Sequence, residues 1–357
     1  MEQRRQTAAA GPLTTGVAGN SSIAQTTRGW PKAELHLHLE GSIEPETVVE
    51  LAARHGEGLT AQEVAARYSY ADFRGFLEAF KWVTSLLREP EDYALIARRL
   101  VENLRRQNVV YAEITLSVGV MLLRGQDVSA NFAALREAAE NAGGSGLRLQ
   151  WIFDAARQFG AEKAMEVARL AARHRGEGVV AFGLGGDELA VPAEEFCGVY
   201  DYARSAGLHA LVHAGEIGGA DEVRRAVEVL GAERIGHGIA AALDPAVMAL
   251  LAERRIPLEI CPTSNLRTGA LARLRGTPEA VIGQHPIAEL VRAGVPVTLS
   301  TDDPAMFDAE LSGEYAAAAE AGLSVAELAR VAAAGFEHAF TSRDYREEMA
   351  ARLRAAL

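Results

Sequence analysis

Lys32-Ala33-Glu34-Leu35-His36-Leu37-His38-Leu39-Glu40-Gly41 is the first stretch of the chain that reads as a strand. Within it, residues 33–39 alternate apolar and polar side chains, the two-residue period of extended backbone. Seven further β-like runs follow, at 109–116, 147–154, 179–185, 209–213, 234–237, 257–260 and 297–301. Several are apolar at most positions, as expected of strands buried on both faces. Helical patterns fill the intervals. Ile96, Leu100 and Leu104 form one stripe of a helix spanning 92–107. Asp221 reads as the N-cap of a helix ending near Leu230-Gly231, and Asp244-Pro245 opens another with a first-turn proline. Eight strand–helix alternations predict a closed parallel (β/α)8 TIM barrel. The structural alternative is an open doubly wound sheet. No Gly-x-Gly-x-x-Gly follows the first strand, which counts against its dinucleotide-binding version.

The interval between strands one and two, residues 41–108, is too long for a single helix. It predicts a helical insertion over the barrel mouth, where it can serve as a lid. Residues 324–357 are rich in Ala, Leu and Arg and predict C-terminal helices packed outside the barrel. Residues 1–29 are rich in Gly, Thr, Ser and Ala and read as a mobile tail. The fold is then one barrel domain over 30–357.

The 357 residues are 49% hydrophobic and carry a net charge of -12, with a pI near 5.3. Neither a long Lys/Arg run nor a basic balance is present, so a small-molecule partner is expected rather than a nucleic acid. No apolar run reaches the roughly 18–20 residues that span a bilayer. The N-terminal stretch lacks the apolar core of a secretory signal. Two cysteines, Cys197 and Cys261, make neither a disulfide framework nor a C-x-x-C pair. A cytoplasmic location is the expectation.

Barrel enzymes carry their chemistry at the C-terminal ends of strands. Strand one ends in His36 and His38, strand five in His213-Ala214-Gly215-Glu216, strand six in His237, and strand eight in Thr301-Asp302-Asp303-Pro304. His36 and His38 lie on one face with Cα atoms about 6.5–7 Å apart. They suit one metal ion, or else they are core histidines bonded to backbone. His213 has the same two readings, and the Ala-Gly turn beside it leaves Glu216 as a natural proton donor. Asp302-Asp303 before Pro304 is either a helix start or a pair of carboxylates at the barrel mouth. Three histidines and one carboxylate suit zinc, with iron(II) or another borderline ion as the alternative.

These motifs, with Gly185-Gly186-Asp187-Glu188 and Gly236-His237-Gly238, resemble in type and order the adenosine deaminase family of metal-dependent amidohydrolases. The resemblance runs from about residue 31 to the Asp302-Asp303-Pro304 region. It implies one zinc ion per chain held by His36, His38, His213 and Asp302. It implies that hydroxide generated there attacks C6 of a 6-aminopurine, releasing ammonia. Glu216 matches the glutamate that protonates N1, which requires a raised pKa. His237 matches the histidine that orients and deprotonates the attacking water. Asp303 matches the group bonded to N7, and Gly186 the backbone N–H that meets N3. Strand four has no lysine to bridge two metals, so a one-metal site is expected. Glu40 stands where adenosine deaminases usually carry an aspartate for the ribose 5′-hydroxyl. With Thr115-Leu116-Ser117-Val118-Gly119 after strand two, this departure resembles the branch acting on aminodeoxyfutalosine, a menaquinone precursor with an aryl carboxylate on its 5′ side. Such a substrate calls for a cation at the mouth, and Arg157 is the candidate. Adenosine itself, free adenine, another ring amide and a non-catalytic purine-binding role are the alternatives.

Overall fold

Each predicted run is a strand in the computed structural model, which describes residues 17–70 and 72–357. The strands are β1 Lys32–His38, β2 Val109–Leu116, β3 Arg148–Ala156, β4 Val179–Gly185, β5 His209–Ala214, β6 Arg234–His237, β7 Leu258–Ile260 and β8 Val297–Leu299. They pair in parallel, in sequence order from β1 to β8. β2 is buried at every residue, which explains its near-continuous apolar run. The ring closes just past β8. There the His38 N–H donates to Asp302 O at 2.8 Å, and the Asp302 N–H donates to His36 O at 3.0 Å. The backbone bonds that shut the barrel are therefore made by three of the predicted metal ligands.

The insertion after β1 holds a short 3-10 turn, Glu40–Ser42, and four helices: α2 Pro45–Arg54, α3 Ala61–Arg67, α4 Phe73–Thr84 and α5 Pro90–Arg106. Proline opens α2 and α5, where its missing N–H costs nothing. Thr60 and Glu63 form a capping box on α3, and the Asp72 carboxylate accepts from the Gly75 N–H on α4. These caps fix where each helix starts and so how α4 is laid across the barrel mouth.

Within the segment read as a tail, residues 17–28 form a helix, α1 Val17–Arg28, packed against the helix Leu311–Glu320. Lys32 explains its anchoring. The ammonium is fully buried and donates to the carbonyls of Thr27, Arg28 and Trp30 at 3.0, 3.3 and 2.9 Å. A cation on the last carbonyls of a helix satisfies groups that have no partner within it. Trp30 adds an edge-to-face contact with Tyr315. The alternation rule did not register a helix with no long apolar stripe. The part of that expectation on residues 1–16 lies outside the described residues.

The helices Val325–Glu337 and Arg343–Ala356 end the chain as expected, the first lying along β1 and β8. Between them, Phe340 packs at the bottom of the barrel against Ile152, Ala181 and Leu211. Among the described residues, no helix is long and apolar enough to cross a membrane.

Candidate active site

The strand ends bring four predicted ligands to one point. Donor atoms of His36, His38, His213 and Asp302 all lie within 4.8 Å of one another. Asp302 Oδ1 stands 3.3 Å from His36 Nε2 and 3.4 Å from His38 Nε2. Two donors sharing one tetrahedral zinc at about 2.0–2.1 Å would stand about 3.3–3.4 Å apart. His36 Nε2 is buried without a hydrogen-bond partner, which fits an atom reserved for a cation. The other Asp302 oxygen accepts from Ser264 Oγ at 2.7 Å, leaving Oδ1 directed at the histidines. Asp302 has φ +67° and His237 φ +61°, left-handed conformations that cost a non-glycine residue and here re-aim side chains at strand ends. The set fits a divalent ion with nitrogen and oxygen ligands.

A chain of buried charges supports this cluster from below. Glu259 Oε2 accepts from His36 Nδ1 at 2.8 Å, which turns Nε2 toward the site. Glu259 Oε1 lies 2.6 Å from Arg234 Nε, and Arg234 also pairs with Glu113. Arg234 rests on the Phe340 ring, 3.7 Å from its centroid. Replacing Glu259 by alanine is expected to weaken metal affinity by about 10–100-fold. Competition with a chelator measures this, and an unchanged affinity would refute the coupling.

Glu216 and His237 face each other across the site, Oε2 to Nε2 at 3.6 Å, and His237 Nε2 lies 3.8 Å from Asp302 Oδ2. Thr268 Oγ1 holds Glu216 Oε1 at 3.0 Å. Burial, and after it the negative Asp302 and Glu188, push the Glu216 carboxyl well above the usual carboxylate range. The proton on His237 can be traced through its neighbours. The Ile287 N–H donates to His285 Nδ1 at 3.2 Å, so the neutral His285 ring carries its hydrogen on Nε2. That N–H donates to Asn265 Oδ1 at 3.1 Å, and the Asn265 amide nitrogen then donates to His237 Nδ1, also at 3.1 Å. Burial holds His237 and His285 down at about 3, so both rings are neutral. His237 therefore presents an N–H at Nε2. That N–H can donate to an oxygen placed in the cavity. Accepting a proton at Nε2, as expected from the sequence, requires that tautomer to change first.

The cluster forms the floor of a cavity of about 720 Å³, including its open mouth. The strand ends and the loops after them line it with Ser117, Asp154, Gln158, Gly186, Glu216 and Asp303, and α4 lines it with Phe73, Phe76, Leu77 and Phe80. Gly186 has φ +85°, and a Cβ there would meet Gln158 Oε1 at 2.3 Å. A Cβ on Gly41 would meet Asp303 Oδ1 at 1.7 Å, so both positions admit only glycine. Asp303 is buried, and burial together with the Asp302 charge holds its carboxyl well above the carboxylate range.

Two predicted substrate residues are buried. Glu40 lies beside the cavity, its Oε1 accepting from the N–H of Ser117, which lines it, at 3.0 Å, and its Oε2 has no hydrogen-bond partner among the described residues. Arg157 is buried too. It donates to Glu188 O at 2.7 Å and pairs with Glu222 at 3.2 Å, so it is a strut between loops, not a cation at the mouth. Among the described residues, no Arg or Lys lines the cavity. Sequence reasoning missed Glu259, Arg234 and Asn265, and took Glu188 only as part of a motif, with no role of its own. A charged residue inside a short apolar run, as in Pro257-Leu258-Glu259-Ile260, is the signal that pointed to the first.

The adenosine deaminase family model matches residues 31–356. An aminodeoxyfutalosine deaminase of Streptomyces coelicolor is 44% identical, covering 87% of this chain and 80% of its own. An adenine deaminase of Chelativorans sp. is 36% identical, covering 90% and 98%. Among solved structures, an amidohydrolase from Burkholderia ambifaria with bound Zn superposes with a TM-score of 0.86 at 25% identity, covering 98% of this chain and 96% of that one.

Proposed function

The chain belongs to the adenosine deaminase family and is a deaminating hydrolase, and from that premise we propose that its substrate is a 6-aminopurine nucleoside with an aryl 5′ extension, of the aminodeoxyfutalosine type. The observation that carries this is the cavity's lining, polar from the strand ends and their loops and aromatic from α4. The purine fits the polar residues. A ribose hydroxyl alone would leave the Phe73, Phe76 and Phe80 wall uncovered, and free adenine would leave it empty. An aryl group covers it and stacks on it. The likeness to the Streptomyces coelicolor enzyme supports the same choice. With no cation lining the cavity, a carboxylate on the aryl group sits at the open mouth, in water.

His36, His38, His213 and Asp302 would hold one zinc ion, which when bound supplies an acidified water at neutral pH. The protein groups do the rest. Attack at C6 pushes electrons onto N1, and Glu216, kept protonated by burial, delivers a proton there. His237 donates from Nε2 to the attacking oxygen and orients it. The proton that oxygen loses ends on the 6-amino group, which leaves as ammonia when the C6–N bond breaks, and the remaining hydroxyl proton returns to Glu216 as the 6-oxo group forms. N7 of a purine can only accept, so Asp303 must carry a proton to bond it, and burial beside Asp302 keeps it protonated. The backbone N–H of Gly186 meets N3.

The test compares kcat/KM for aminodeoxyfutalosine, adenosine, 5′-deoxyadenosine and adenine on one preparation. The extended nucleoside is expected to lead adenosine by at least about tenfold, roughly 1.4 kcal/mol of transition-state preference. Adenosine leading by that margin would replace this reading with plain adenosine deamination. No ammonia from any of them would leave only purine binding.

A further inference from the structure

The loop that carries Glu216 is wrapped around a single carboxylate. Glu188 Oε2 accepts from the N–H groups of Gly215 at 2.7 Å and Gly218 at 3.1 Å. Its Oε1 accepts from those of Glu216 at 2.8 Å and Ile217 at 2.9 Å. Four consecutive amides thus converge on one buried side chain, an anion-binding nest filled by the protein itself. Hydrogen bonds to an ionised acceptor are roughly twice as strong as neutral ones. The loop is shaped for this approach. Gly215 has φ +77°, and a Cβ on Gly218 would meet Glu188 Oε2 at 2.8 Å. Glu188 is fixed in turn by Arg157 at the end of β3, which holds its carbonyl and pairs with Glu222 of the helix Ala220–Glu228. The ends of β3, β4 and β5 are locked together behind Glu216.

We propose that Glu188 is the positioning residue for Glu216, holding its backbone so that its carboxyl stays over the cavity. Glu188 does not line the cavity, so it acts only through the loop. The inference rests on the reading of Glu216 as the proton donor, and the experiment separates the two. Glu188→Gln keeps the volume but replaces one acceptor oxygen by an amide that opposes two N–H groups. Expected is a 10- to 100-fold loss of kcat, the scale of a displacement of about 1 Å, with KM within threefold and metal content unchanged. Affinity for an analogue tetrahedral at C6 falls in step with kcat/KM, while affinity for the 6-oxo product stays. Gly218→Ala, whose Cβ would press on Glu222 Cγ at 2.7 Å and on Glu188 Oε2 at 2.8 Å without removing either charge, gives a smaller loss of the same kind and serves if the first variant does not fold. Adding Glu188→Gln to Glu216→Gln costs nothing further, because the group being positioned is already gone. Turnover of Glu188→Gln within twofold of the parent, loss of metal in proportion to activity, or multiplying losses in the double variant overturns the positioning role. Near-parental turnover of Glu216→Gln alone overturns the proton-donor reading instead.

Discussion

Glu216→Gln is expected to keep its metal and to lose about 10²–10⁴-fold in turnover. The amide preserves the shape of the carboxyl and its contact with Thr268, so the site stays assembled. What it lacks is a proton at the right acidity. The environment supplies that acidity: the carboxyl is buried and lies near the negative Asp302 and Glu188, all of which favour its neutral form. Substrate binding is expected to change far less than kcat, because the proton transfer is realised in the transition state and not in the ground state. Steady-state kinetics with metal analysis of the same preparation checks the result. Loss of metal, or turnover near the parental rate, would show the role to be misassigned.

The second large effect separates ligand from orienting group. His213→Ala is expected to lose the tightly held metal, and turnover with it, because one of three nitrogen donors is gone. His237→Ala is expected to keep the metal and still lose most activity. Its Nε2 is 3.8 Å from Asp302 Oδ2, and its other nitrogen is tied to Asn265. The parental chain should hold about one metal ion. β4 contains no lysine to bridge a second metal, and its position that faces His213 is Gly185, where a Cβ would meet His213 Nδ1 at 3.2 Å. Elemental analysis of the three proteins is the measurement. Metal lost only from the His237 variant would reverse the assignment, and a parental content near two would refute the single-metal site.

The barrel and the clustering of metal-ligating side chains at strand ends follow from local patterns in the chain. Strands reveal themselves through a period of two or a continuous apolar run. Barrel enzymes place polar groups at strand ends, so His36, His38, His213, His237 and Asp302 stood out as candidates by position. The family resemblance chose among their readings, and the fold brings His36, His38, His213 and Asp302 together. Such features depend on spacing of a few residues, within which backbone geometry dictates direction. Relations between distant segments have no such local signature. Arg157 reads as a cation near the mouth because its strand end is known. Its direction is set by Glu188 and Glu222, 31 and 65 residues on, which turn it away from the cavity. The tautomer of His237 depends on the backbone amide of Ile287 through two intervening side chains. Helix α1 is held by Lys32, which reads as the start of a strand until its buried ammonium finds three carbonyls. In each case a buried polar group must find partners, and which partners are within 3 Å is settled by how the chain closes on itself.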